Sequence, residues 1–283
     1  MSKTLFCTRF APSPSGALHL GHAYAAWFCA EVARREGGIW RLRIEDIDHT
    51  RCRAEYEAAI LDDLRWLSLQ WQGAVWRQSE RLQAYSAALA ELKAQELIYP
   101  CTCTRREVAA QSPGDSPDGP RYAGTCRREP KGSADSPSWR LHMGRALERL
   151  REPLYYYDWQ RGWIRAEPAR FGDVVLARRD IGTAYHLAVV VDDAAQGIQQ
   201  VVRGEDLRAA TDLHRLLQHL LNLPVPQYQF HALVMAENRQ TKLSKRQGAQ
   251  SLAHYRQQGW QPQALIELAR RRAQILCLDA QRG

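Results

Sequence analysis

The chain has 283 residues, 25% of them charged and 45% apolar, with a formal net charge of +8 at pH 7. At roughly 150 residues per domain, this length suggests about two domains with enough apolar surface for a core, which excludes a disordered chain. No stretch approaches the ~20 consecutive apolar residues of a membrane span, and residues 1–10 lack the apolar core of a signal peptide. A cytoplasmic protein is expected, with no membrane partner.

The first segment, Thr4 to Phe10, is rich in β-formers and stopped by Pro12 and Pro14, so it reads as a buried strand followed by a turn in which Gly16 lets the chain reverse. From Leu20 the apolar positions Ala23, Ala26, Trp27, Ala30 and Val32 recur at helical spacing until Gly37 and Gly38. A strand is predicted over Trp40 to Ile44, a helix over Arg53 to Leu67 and another over Glu80 to Leu97. Between Gln111 and Pro137, Gly, Pro and Ser make up nearly half of the residues, which reads as a loop or weakly structured insert. Short alternating segments return at Ser138 to His142, Leu154 to Asp158 and Gly162 to Ala166. A β-rich stretch is expected over Thr183 to Asp192, a strand over Gln199 to Arg203, a helix over Ala210 to Leu221, a strand over Tyr228 to Met235 and a helix over Gln263 to Leu278.

Strand, loop, helix, strand, helix is the grammar of an α/β fold with a parallel sheet. The expected division is a discontinuous Rossmann-like domain from 1–97 and 186–246, an inserted module from 98–185, and a short helical segment from 247–283 that is too brief for a further domain.

The positive excess is carried almost wholly by arginine, since the lysines are Lys3, Lys93, Lys131, Lys242 and Lys245. Arginine forks suit phosphate, so a polyanionic partner and a merely solvated basic surface are both consistent with composition. The strongest local signal runs from Arg9 to His22, where a Pro and Gly turn leads into a helix that opens on His19 and His22. Three residues apart, the two imidazoles share one face at a helix N-terminus, which favours anions, and Gly21 lets a nucleotide approach the backbone. Alone, this string reads better as a capped helix with surface histidines. Downstream, Lys242, Leu243, Ser244, Lys245 and Arg246 bring three cations into five residues, enough to close over phosphates, although an isolated basic loop is more often only solvated.

In this order, the two segments resemble the HIGH and KMSKS signatures of the class I aminoacyl-tRNA synthetases. Arg-Phe-Ala-Pro-Ser-Pro-Ser-Gly at 9–16 and Arg-Ile-Glu-Asp-Ile-Asp at 43–48 resemble the glutamyl branch over roughly residues 4–250. Leu20 and Leu243 stand for the family's isoleucine and methionine, and Arg246 for its last serine. The short chain is similar to truncated members of that branch, which join glutamate to queuosine in the anticodon loop of tRNA(Asp). The resemblance implies ATP with Mg²⁺, L-glutamate and queuosine-bearing tRNA(Asp) as partners of a single-chain ligase.

It also implies site residues. Glutamate would be held by Arg9, Ala11, Ser13, Glu45, Tyr185 and Arg203, with forks from the arginines for its carboxylates and Glu45 for its ammonium. ATP would be held by His19, Gly21, His22 and Lys245, and the catalytic set would be His19, His22, Lys242 and Lys245. From the residues alone, Glu45 is equally a strand-end charge paired with Arg43, and Tyr185 a core aromatic.

Seven cysteines, an odd number, argue against a disulfide framework in such a chain. Cys101, Cys103 and Cys126 alone cluster, and three thiolates suggest structural zinc in a segment with few apolar residues to fold around. The family's fourth ligand matches Tyr122, whereas His142 is chemically the easier donor; three reduced cysteines in a loop is the plain alternative. The competing readings of the whole are a short glutamyl-tRNA synthetase charging a 3′ end, a small-molecule nucleotidyltransferase, and a non-catalytic RNA-binding paralogue.

Overall fold

The computed structural model describes residues 5–128, 136–235 and 250–273. Its contacts divide the chain into two compact units, Met1–Ser79 with Ile198–Arg208 and Gln227–Gly283, and Glu80–Gly197 with Ala209–Pro226. These boundaries differ from the expected ones. The helices Leu82–Ala94, Tyr185–Ala195 and Ala210–Leu220 lie in the second unit rather than in a Rossmann-like half. Among the described residues no helix is long and apolar enough to cross a membrane.

The first unit is the α/β part. Cys7–Phe10 pairs in parallel with Ile39–Ile44, which pairs in parallel with Trp76–Arg77. Gln200–Gly204 pairs in parallel with Gln227–His231 and lies beside the first strand, where Gln199 N–H donates to Cys7 O at 2.9 Å. Parallel strands need crossovers, and the helix Leu20–Arg35 supplies the first. Its buried positions Leu20, Ala23, Tyr24, Phe28 and Val32 meet Leu42, Ile44, Ile60, Leu64 and Val202 in one core. The helix Pro262–Arg272 adds Leu265 and Ala269 to it. This helix is shorter than the expected Gln263 to Leu278, whose last residues lie outside the described ones, and a further helix, Leu252–Gln257, precedes it.

The second unit has a three-stranded antiparallel sheet in which Ser138–Leu141 lies between Ile98–Cys101 and Val175–Ala177. The strand Ile98–Cys101 follows the segment expected as a helix to Leu97 and contains Pro100, which faces Trp139 in the ladder. The larger correction concerns Thr183 to Asp192. The Ala-Val-Val-Val run reads as a strand, yet Tyr185–Ala195 is a helix. Leu187, Ala188, Val189 and Val190 are all at most 2% exposed, so no single apolar face betrays a helical period. Tertiary contacts override the β-branched propensity: fully buried Asp192 accepts from Arg81 Nε at 2.6 Å and Tyr85 OH at 2.7 Å, tying this helix to Leu82–Ala94.

Candidate functional site

The turn after the first strand is held from outside. Glu45 N–H donates to Pro12 O at 3.0 Å and Arg53 N–H to Pro14 O at 3.1 Å, so both proline carbonyls are anchored to the segment that follows the second strand. Gly16 sits between them and the helix at φ 151°, a conformation that side-chain-bearing residues avoid. Ser13 is exposed, its Oγ 3.6 Å from Cys52 Sγ, and Ala11 is half-buried.

His19 is the N-cap of the helix, in extended conformation, and its Nδ1 accepts from Gly21 N–H at 3.1 Å. His22 returns the bond, its Nδ1 accepting from His19 N–H at 3.1 Å. This reciprocal capping box uses imidazoles where Ser and Glu are usual, and it fixes the Nδ1 atoms as acceptors. The rings stand 3.9 Å apart between centroids, on the shared face that the three-residue spacing predicts. A Cβ at Gly21 would come within 3.0 Å of His19 Cε1, so the glycine leaves room for the imidazole.

On the adjoining strands, Arg9 is 4% and Arg203 6% exposed. Arg9 Nη1 donates to Val202 O at 3.0 Å, which places it next to Arg203 in the neighbouring strand. The Arg203 guanidinium lies 5.3 Å from the Tyr228 ring and 5.7 Å from the Phe230 ring, two aromatics stacked at 8°. Two buried, oriented guanidiniums can grip carboxylates strongly because little water competes. Glu45 follows the second strand and accepts from Arg43 Nη2 at 3.1 Å, so the strand-end pair is real. That pair does not bar a ligand ammonium, since a carboxylate offers about four lone-pair sites.

Tyr185 opens its helix in the second unit, its ring 5.3 Å from His186 and 5.7 Å from His214. Sequence reasoning missed the chain behind it: Asp118 Oδ2 lies 2.7 Å from His186 Nε2, and His186 Nδ1 lies 3.0 Å from His214 Nε2. These residues are far apart in sequence and carry no local motif. Lys242 and Lys245, with the rest of the lysine loop, lie outside the described residues. On the helix Pro262–Arg272, Arg270 packs 5.0 Å over the Trp27 ring and pairs with Glu267.

Cys101, Cys103 and Cys126 bring their sulfurs within 4.8 Å of one another. Two thiolates about 2.3 Å from one tetrahedral ion stand about 3.8 Å apart, so this cluster can take a metal ion. The fourth neighbour is Tyr122, its hydroxyl 3.4 Å from both Cys101 Sγ and Cys103 Sγ and accepting from Cys126 N–H at 2.9 Å. His142 is elsewhere: its Nδ1 accepts from Arg145 N–H at 3.2 Å and caps the helix Met143–Glu148. Burial pushes the Cys103 thiol up to about 11 and the Tyr122 phenol higher still. Arg140 answers some of the donor charge, with its guanidinium 3.9 Å over the Tyr122 ring and Nε donating to Cys101 Sγ at 3.2 Å.

The pattern of tRNA synthetases class I (E and Q), catalytic domain, matches residues 6–275. A glutamyl-Q tRNA(Asp) synthetase of Rhodobacter capsulatus is 46% identical, over 90% of this chain and 96% of its own length. A glutamate–tRNA ligase 2 of Nitrosococcus oceani is 38% identical, and the match spans 94% of this chain but 58% of that protein. The crystal structure of a glutamate tRNA ligase from Elizabethkingia meningosepticum, solved with its amino acid, superposes with a TM-score of 0.76 at 25% identity, over 93% of this chain and 60% of that one. From residue 6 to residue 275, then, this chain belongs to the class I tRNA synthetases of the E and Q type, a family of ligases.

Proposed function

We propose that the chain activates L-glutamate with ATP as glutamyl-adenylate and transfers the glutamyl group to queuosine in the anticodon loop of tRNA(Asp), acting as a single chain in the cytoplasm. The observation that carries the glutamate reading is the adjacency of Arg9 and Arg203, buried on neighbouring strands beside the turn that leads to His19 and His22. The acceptor is supported by the name of the R. capsulatus relative.

In the first step a glutamate carboxylate oxygen attacks the α-phosphorus of ATP in line, the bond to the bridging oxygen breaks, and pyrophosphate leaves with that electron pair. Arg9 and Arg203 hold the carboxylates and Glu45 the ammonium, with Ala11 and Ser13 in the same unit; Tyr185 joins the glutamate residues on the family resemblance. Mg²⁺ arriving with ATP supplies further charge neutralisation. His19 and His22, fixed at the helix start by the bonds from backbone donors to their Nδ1 atoms, stabilise charge that builds on the phosphate oxygens. Gly21 gives the nucleotide its approach, and Lys242 and Lys245 offset charge on the leaving pyrophosphate. In the second step an acceptor hydroxyl attacks the activated carbonyl, its proton passes to solvent and AMP departs.

Cys101, Cys103, Tyr122 and Cys126 would hold one structural zinc ion. The donor set fits: three sulfurs lie within 4.8 Å of one another and a phenol oxygen 3.4 Å from two of them, in a cluster with few apolar residues of its own.

Glutamate-dependent exchange between ATP and pyrophosphate tests the activation step, and labelled glutamate offered with tRNA(Asp) tests the transfer. The second reading, charging of a tRNA 3′ end, draws on the 38% identity with the N. oceani glutamate–tRNA ligase and predicts label on tRNA(Glu), protecting its terminal ribose from periodate.

A further inference from the structure

The site residues leave unexplained the outer face of a hairpin in the second unit. Tyr155–Asp158 pairs antiparallel with Gly162–Arg165, Tyr155 opposite Arg165 and Tyr157 opposite Trp163. Tyr156 and Asp158 are 3% and 0% exposed, so strand alternation turns Tyr155, Tyr157, Trp163 and Arg165 to the other side. Trp163 is 71% exposed, the highest value among the exposed large apolar side chains of the described residues. Its ring meets Tyr157 edge to face at 5.5 Å, and Trp159 meets the same tyrosine at 6.4 Å.

Between Tyr155 and Arg165 the exposed charge has one sign. Arg161 and Arg165 are exposed, and Arg215 reaches the same strand, its Nε donating to Tyr155 O at 2.9 Å. The one acid between Tyr155 and Arg165 is Asp158, which is buried and accepts from Gln160 N–H at 2.8 Å within the turn.

We propose that this aromatic and arginine face binds unpaired nucleotides of RNA, one base stacking on Trp163 while the arginines meet the flanking phosphates. Open aromatic planes bordered by guanidiniums are what single-stranded segments require, whereas a base inside a helix has no free face to offer. The net charge of +8 favours a polyanion over a protein partner of mixed charge. The proposal rests on the tRNA reading only for its biological setting; the surface itself is independent of glutamate activation.

The test measures binding of the full chain to a fluorescent RNA stem–loop and to a blunt RNA duplex of equal length. Because Trp163 is exposed, Trp163→Ala should fold normally. It should weaken stem–loop binding about fivefold or more, leave duplex binding unchanged, and be largely rescued by Trp163→Phe. Arg165→Gln should weaken both RNAs and lower the salt dependence by about one phosphate contact. Glutamate-dependent ATP–pyrophosphate exchange should persist in every variant. Unchanged stem–loop affinity in Trp163→Ala, equal loss for both RNAs, or a change in sedimentation mass marking a protein-contact face would each overturn the proposal. If the wild-type chain shows no exchange while the Trp163 effect stands, the activation reading fails and this one survives.

Discussion

The helix start at His19 and His22 and the thiol cluster at Cys101, Cys103 and Cys126 are both small constellations set by short motifs, yet they are held by opposite means. The histidines cap a helix whose buried side runs into the large core of the first unit, and the turn before it is pinned through the carbonyls of Pro12 and Pro14. Their geometry is imposed by backbone and packing. Among the described residues, the apolar cluster around the cysteines is small, consisting of Tyr99, Tyr122 and the partly buried Val108. There the donors are themselves most of the core. A site of the first kind keeps its shape when a functional group is removed; one of the second kind loses its shape with its ligand.

The largest predicted effect separates the two directly. Cys101→Ser, or treatment of the wild-type chain with a strong chelator, should abolish amide-exchange protection across residues 99–126 and leave that of residues 20–35 intact. Equal loss in both regions, or none in either, would break the comparison. For the activation step, Lys245→Ala should lower ATP–pyrophosphate exchange by on the order of 10²- to 10³-fold with little change in glutamate binding, whereas Arg203→Ala should weaken glutamate binding by about 10- to 100-fold. Kinetics at saturating and limiting glutamate distinguish the two. Normal exchange in Lys245→Ala would remove that residue from the leaving-group role.

A smaller effect comes from the core of the first unit itself. Burial pushes the Asp63 carboxyl up from its ordinary 3.8 to about 6. The folded chain therefore retains a proton that the unfolded chain has released, and stability falls as pH rises from about 4 to about 6, by at most about 3 kcal/mol. Asp63→Asn should flatten this decline in a thermal melt; an unchanged profile would contradict the assignment. Smallest of all, His19→Ala should cost about 1 kcal/mol through loss of the cap. His19→Asn should restore that stability without restoring exchange activity, which separates the capping role of the imidazole from its phosphate role.

What was legible in the sequence follows the same division. The strand, turn and helix from Cys7 to Arg35 could be read because Pro, Gly and the apolar period are local signals, and they placed both histidines. The helix Tyr185–Ala195 could not, since nearly every side chain of its middle is buried and its anchor, Asp192, binds residues about a hundred positions away. Separations of 68 and 28 positions hid the contacts from Asp118 through His186 to His214 beside Tyr185. Cys101, Cys103 and Cys126 were visible as a spacing, but where Tyr122 and His142 lie was not: the phenol lies 3.4 Å from two of the sulfurs and the imidazole caps a helix.

Transfer of labelled glutamate to tRNA(Asp), with and without queuosine, tests the central claim most directly. The account predicts label on tRNA(Asp) that requires both ATP and queuosine and is insensitive to the state of the 3′-terminal ribose. Label on tRNA(Glu), or on tRNA(Asp) lacking queuosine, would contradict it.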